Sequence, residues 1–457
     1  MRSLLTLTRN RRWSAAGVAG VGVLALAVAG SMGMGFAPGG NPARAGGNCK
    51  PTVSSRLFGQ AVEPYTGKTE DVFQYTLANC AGMQVKLLTY GAIQQSITVP
   101  DRHGKPADVI LGFGTLNDYV TKASAPPPVG GPYFGETIGR YGNRIANGRF
   151  NLNGQTYYLP QNNNGNSLHG GNVGFGNHIW SAKVAHVPGA AAVAMTLVSP
   201  NGDEGTTQEP GCTNTVGSDT HPCNGYPARL TLTVTFSLNN AGQLGMQYHA
   251  VNNDSSLSTV INFTNHDYFN LAGEDAPVGT AYSQPIMINA DSYSPTNATQ
   301  IPLPLPHGTP VAGTPFDFRS PHTIGSRIGD VSDPGATVQG FNQLLIGQGY
   351  DHNWILNPKT SATTGPDGLN LAARATDPAS GRTLSVWTDQ PGVQFYTGNF
   401  LTGTLVGISG HAYRQGAGYT FETQHFPDSP NETGFPSTVL GPGKTFDSLT
   451  IYQFTAH

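Results

Sequence analysis

From Leu230 to Leu238 the chain alternates without a break: Leu230, Leu232, Val234, Phe236 and Leu238 on one register, Thr231, Thr233, Thr235 and Ser237 on the other. A period of two turns one set toward a core and the other toward water, which is the signature of a half-buried strand. Leu244, Met246 and Tyr248 resume the pattern after Asn239-Asn240-Ala241-Gly242 and predict a hairpin. A second hairpin is expected over Arg149–Leu159, because Phe150 and Leu152 precede Asn153-Gly154, the dipeptide suited to the positive φ angles of a type I′ turn. Further strands are expected at 83–89, 93–99, 193–198, 383–388 and 393–397. No long segment has a 3.6-residue period, and Thr115–Lys122 has room for a helical turn or two only. Many strands without intervening helices predict an all-β chain, a large antiparallel β-sandwich. The absence of an internal repeat speaks against a propeller. Charged residues make up 11% of the chain, well below the usual quarter, but 38% hydrophobic content supplies a core and argues against disorder.

Four arginines, Arg2, Arg9, Arg11 and Arg12, precede an apolar run from about Ala15 to Ala37, and Ala43-Arg44-Ala45 closes the segment with small residues that a signal peptidase accepts. Residues 1–45 are read as a signal peptide cleaved near Ala45, residues 46–56 as a linker and 57–457 as one β-sandwich domain. A retained membrane anchor is the alternative, and Arg11-Arg12 leaves the export route open between general and twin-arginine secretion. Losing five arginines and no acid takes the net charge from −3 to −8. A mildly acidic mature chain has no electrostatic footprint for nucleic acid or anionic lipid. Export to an oxidising compartment predicts that Cys49, Cys80, Cys212 and Cys223 pair, with three connectivities possible. Cys212 and Cys223 flank one Gly/Asn/Thr/Ser-rich stretch and are expected to close it, as a surface insertion over 202–227, which leaves Cys49 for Cys80. No Cys-x-x-Cys spacing supports a metal site.

Five clusters set titratable side chains beside aromatics and glycines: Gly139-Arg140-Tyr141-Gly142-Asn143-Arg144, Ser167-Leu168-His169-Gly170-Gly171, Thr264-Asn265-His266-Asp267-Tyr268-Phe269-Asn270, Tyr350-Asp351-His352-Asn353 and Phe421-Glu422-Thr423-Gln424-His425. Singly, each has a bland explanation, since a lone His or Glu in a β-protein is more often structural than catalytic. Three further stretches accompany them: Tyr90-Gly91-Ala92 with Val99–Gly112, Pro315–Arg319, and Pro391–Asn399. Together and in this order they resemble the aldose 1-epimerase (galactose mutarotase) family over almost the whole chain beyond residue 57. Two departures stand out: Asp267 where a Ser is expected in Asn-His-Ser-Tyr, which could alter the surroundings of His266, and the cysteine-bearing insertion.

The resemblance implies a galactose mutarotase-like supersandwich that interconverts the α and β anomers of free galactose or glucose. Anomers exchange when the hemiacetal ring opens, the C1–C2 bond rotates and the ring closes on the other carbonyl face. Opening needs a base at the C1 hydroxyl and an acid at the ring oxygen, and neither a metal nor another cofactor. By similarity Glu422 is the base and His266 the acid, which implies a protonated imidazole facing an ionised carboxylate. Asn143, Arg144, His169, Asp351 and Gln394 would hold the sugar, a residue set whose donors and acceptors suit vicinal hydroxyls, with assistance to proton transfer at the ring oxygen as the alternative role for His169. His352, His425 and Asp428 are read as structural. A carbohydrate-binding module is a rival reading, but it would need no acid–base pair. A glycoside hydrolase is another, and it generally needs two carboxyl groups about 5 to 9.5 Å apart. A dehydrogenase is disfavoured by the lack of a strand-linked Gly-x-Gly-x-x-Gly. The expected partner is a small-molecule sugar, and the expected assembly a monomer or weak dimer without stable membrane insertion.

Overall fold

Antiparallel pairing of the alternating segments builds three principal sheets in the computed structural model, which describes residues 49–123 and 131–457. The largest has nine strands, in the order Ser181–Val184, Ala190–Ser199, Leu230–Asn239, Gln243–Asn252, Thr445–Ala456, Arg382–Thr388, Asn370–Thr376, Pro285–Ile288 and His322–Thr323. A six-stranded sheet runs Tyr268–Phe269, Tyr419–Gln424, Gly392–Tyr396, Asp351–Ile355, Ser292–Ser294 and Thr309–Pro310. A five-stranded meander covers Thr52–Glu63, Lys68–Ala78, Gln84–Leu88, Ile93–Pro100 and Pro106–Asp108. One continuous core takes Leu232, Val234 and Phe236 from the first sheet, Val393, Phe395 and Phe421 from the second, and Val85, Leu87 and Ile97 from the third.

The alternation in Leu230–Asn239 is realised residue by residue, every apolar position being buried and every hydroxylated one half-buried. Its hairpin to Gln243–Asn252 turns at Gly242, whose φ of 72° no β-branched residue would adopt comfortably. The expected turn at Asn153-Gly154 joins Arg149–Leu152 to Gln155–Tyr158 with φ of 50° and 81°. The helical content near Thr115 is a short α-helix, Leu116–Asp118, capped by the Thr115 hydroxyl accepting from the Asp118 N–H, and a single π-helical turn, Tyr119–Ala123, that continues it. Among the described residues no helix is long and apolar enough to cross a membrane.

Two expectations need correction, and the export segment at 1–45 lies outside the described residues. The stretch read as a linker is a strand from Thr52 onward, paired with Lys68–Ala78. Its first residues are largely exposed and lack alternation, so backbone pairing at a sheet edge, which leaves no hydrophobic trace, is what orders them. The 202–227 insertion is no mere surface excursion: Asp203, Glu204, Asn214, Cys223 and Tyr226 are all buried. Glu204 accepts from backbone N–H groups of the 172–174 loop, the Asn214 amide donates to the carbonyls of Asn147, Gly148 and Leu159, and Asp203 accepts from the Tyr65 and Ser199 hydroxyls, ties that composition cannot reveal. Both disulfides have the expected partners, Cys49–Cys80 and Cys212–Cys223.

Candidate active site

Strand register alone brings four of the site's side chains together. In the six-stranded sheet Gln394 lies directly across from Glu422, and Asn353 directly across from Gln394. Asp351, two residues before Asn353, therefore shares its face. On the other side Tyr268 pairs with Thr420, and the same register carried two residues back sets His266 opposite Glu422. His266 Nε2 lies 3.6 Å from Glu422 Oε1, and both side chains are buried. A second group arrives from the short ladder of Arg144–Ile145 with Ser167–Leu168. Just beyond it Asn143 and His169 meet twice: the Asn143 carbonyl accepts from the His169 N–H, and the Asn143 N–H donates to His169 Nδ1 at 3.2 Å. That bond makes Nδ1 the acceptor and puts the ring proton of a neutral His169 on Nε2. Asn143 and His169 hold φ of 60° and 51°, a conformation non-glycine residues adopt rarely and often at functional positions.

Asn143, Arg144, His169, His266, Asp351 and Glu422 line one cavity of about 580 Å³. Gln394 stands behind Asp351 and donates from Nε2 to Asp351 Oδ1 at 2.7 Å. Tyr133 covers the two imidazoles, its ring centre 4.7 Å from that of His169 and 5.7 Å from that of His266, while Tyr268 packs 5.1 Å from His266. The residues read as structural have hydrogen-bond partners outside the cavity: His352 Nε2 meets Gln343 Oε1, His425 Nδ1 meets Gln390 Oε1, and Asp428 accepts from the Ala146 N–H.

Proton placement in the free site differs from the expected one. Burial pushes the Glu422 carboxyl up to about 8, and the nearby Asp351 charge adds to this against the Thr420 hydroxyl and Arg144. Burial pulls His266 down to about 3 and His169 well below its ordinary value. The pair thus keeps its one mobile proton on the carboxyl instead of the imidazole, because a dry pocket penalises both charged forms. The two arrangements are tautomers of one net-neutral pair. Passing from one to the other needs no proton from bulk water.

Asp267, the unexpected neighbour, leaves the electrostatics of His266 alone. It points to the sandwich interior, within electrostatic reach of Asp108, Tyr248 and Tyr452, and neither of its oxygens has a hydrogen-bond partner among the described residues.

Sequence reasoning passed over several participants. Thr420 donates its hydroxyl to Glu422 Oε1 at 2.9 Å, one strand period away, and could have been found from the alternation. Gln300 and Tyr133 sit on irregular segments without any periodic signal. Glu204 accepts from the backbone N–H groups of Asn172, Val173 and Gly174 and so clamps the loop that follows His169. Gly171 has no side chain because a Cβ there would collide with the Glu204 carboxyl. His169, His266 and Glu422 also bring three potential metal-ligand atoms within 4.8 Å of one another, a donor set that suits a divalent transition ion.

An antiparallel sandwich with a cavity lined by hydrogen-bonding side chains and floored by an imidazole and a carboxyl has the layout of a carbohydrate-active enzyme. The model of one family, aldose 1-epimerase, matches residues 74–453. The galactose mutarotase of Mus musculus is 36% identical over 404 residues, covering 88% of this chain and 99% of that protein. The aldose 1-epimerase of Escherichia coli strain K12 is 32% identical, covering 83% and 94%. Among solved structures, galactose 1-epimerase from Lactobacillus acidophilus superposes with a TM-score of 0.66 at 27% identity, covering 89% of this chain and 99% of that one. The chain belongs to the aldose 1-epimerase family and is an isomerase with the galactose mutarotase-like fold.

Proposed function

We propose that this enzyme interconverts the α and β anomers of free hexoses, galactose and glucose among them, with Glu422 and His266 as the proton-transfer pair. The observation that carries the reading is the 3.6 Å approach of His266 Nε2 to Glu422 Oε1 on the floor of a cavity that Arg144 and Asp351 equip for hydroxyls. Glu422 takes the proton of the C1 hydroxyl while His266 gives one to the ring oxygen; the C1–C2 bond turns, and closure returns both protons. Each role is worth roughly 10²- to 10⁴-fold in rate. Sugar hydroxyls donating to the carboxylate favour its charged form, which draws the pair's proton from Glu422 onto His266 as substrate binds. Asn143, Arg144, His169 and Asp351 hold the ring, and Gln394 orients Asp351. A binding module would have no use for two buried titratable groups facing one another.

The exported state completes the reading: residues 1–45 direct export and are removed near Ala45, and the mature chain works on extracytoplasmic sugar as a monomer or weak dimer. Two disulfides in a chain with no free cysteine among the described residues fit an oxidising compartment. The test is polarimetry of freshly dissolved α-D-galactose and α-D-glucose with wild type and Glu422→Gln. A loss of at least about 10²-fold is expected; near-normal rates remove Glu422 from the mechanism.

A further inference from the structure

Gln300 stands in the cavity at its polyol end on a turn that the sequence marks with nothing but Asn297-Ala298-Thr299. The Asn297 side chain accepts from the Thr299 and Ile301 N–H groups and its backbone pairs with Ile301, which fixes the turn tightly. The turn throws Gln300 into the left-handed region, φ 62°, and buries it to 6% exposure. A glutamine has no intrinsic reason to occupy that conformation, and such strain is retained where the side chain is needed. Its amide is wedged between two charges. Oε1 accepts from Arg144 Nη2 at 2.7 Å, and Nε2 donates to Asp351 Oδ2 at 2.7 Å. Arg144 Nη2 and Asp351 Oδ2 themselves are 4.0 Å apart.

Two consequences follow from the chemistry of an amide. First, a neutral group that satisfies one guanidinium hydrogen and one carboxylate lone pair keeps Arg144 and Asp351 from closing into a bidentate pair, which would spend on each other the donors and acceptors a polyol requires. Second, the amide carries two N–H donors and two acceptor lone pairs, so one of each remains unspent on a side chain that lines the cavity. A donor and an acceptor held side by side match one hydroxyl in one configuration and mismatch its epimer.

We propose that Gln300 is a specificity-determining residue that reads the configuration of a single ring hydroxyl of a free aldohexose, in addition to spacing Arg144 from Asp351. The inference rests on the mutarotase reading. Its test compares wild type, Gln300→Asn and Gln300→Leu on galactose, glucose and the four monodeoxygalactoses lacking the hydroxyl at C2, C3, C4 or C6. Asn suits the left-handed backbone better than Gln does, so that variant keeps the fold, yet it is one methylene too short to span Arg144 and Asp351. The expected result is a fall of about tenfold in kcat/KM on galactose for both variants, carried by KM, the size of one lost hydrogen bond. That penalty should shrink to about twofold for one deoxy sugar, the one lacking the hydroxyl that Gln300 reads, and persist for the other three. A penalty equal across all sugars, or none, overturns the proposal for Gln300 while leaving the mutarotase intact. Failure of the wild type to mutarotate galactose would instead overturn the reading of the site itself.

Discussion

Asp267→Asn is expected to stabilise the protein at neutral pH, and increasingly so as pH rises. Asp267 is 1% exposed, neither of its oxygens has a hydrogen-bond partner among the described residues, and Asp108 lies near. Burial first, then the Asp108 charge, raises its carboxyl well above the ordinary 3.8. The folded state therefore holds a proton that the unfolded chain releases above about pH 4, so unfolding gains free energy as pH rises from there through the folded value. Holding the proton to pH 7, roughly three units above the unfolded value, costs at most about 4 kcal/mol at about 1.36 kcal/mol per unit. Asparagine has the volume of the protonated acid and nothing to titrate, so it removes the pH-dependent cost without opening a cavity. Urea unfolding of both proteins between pH 4 and 8 measures the difference: near zero at pH 4, then a climb of up to about 4 kcal/mol by pH 7 in favour of the variant. Because Asp267 faces the sandwich interior and His266 the cavity, the variant should mutarotate galactose at the wild-type rate. A stability difference flat across that range would mean that Asp267 is ionised and solvated when folded, and would refute the reasoning.

Three more expectations follow from the site. The rate should be bell-shaped in pH, the one-proton state of the pair being lost on the alkaline side as pH rises through about 8, where Glu422 gives up its proton, and on the acid side only as pH falls toward about 3, where His266 gains a second one; an alkaline limb at an ordinary carboxylate value would contradict the burial of Glu422. Glu204→Ala leaves three N–H groups, two half-buried and one buried, without their acceptor and should cost about 2 kcal/mol or more in urea unfolding, with KM raised through the loosened His169 loop; unchanged stability would show that water replaces the carboxylate. Added Zn²⁺ should inhibit competitively with galactose through His169, His266 and Glu422 and be reversed by a chelator, and inhibition undiminished in His169→Gln would place the ion elsewhere.

Where side chains repeat with the period of the backbone, sequence and structure agree closely. Leu230–Asn239, its hairpin partner and the Asn153-Gly154 turn are legible because each is decided within ten residues. The proposed acid–base pair was legible only through resemblance: His266 and Glu422 are brought together by a register between distant strands that no local pattern encodes. Gln300 escaped because its conformation is imposed by the Asn297 turn, and Glu204 because its partners are backbone N–H groups, which every sequence contains. The linker at 52–56 misled for a related reason, as an edge strand ordered by its backbone has no obligation to alternate. The preference for a proton on Glu422 over His266 could not be read at all, since it depends on how completely the fold buries both groups.

The hairpin Thr213–Val216 with Asp219–Pro222 rises from an arm whose base is sealed by Cys212–Cys223, with Glu204 on the inner side of that seal. Its tip, Gly217-Ser218, is exposed and a Cβ at Gly217 would touch nothing. Behind that tip the buried Asn214 side chain donates to the carbonyls of Asn147, Gly148 and Leu159, so the arm is tied to the body of the protein at its root and free only at its end. A peptide tag or an immobilisation handle spliced between these two residues has a solvent-facing berth at the one part of the arm that packs against nothing.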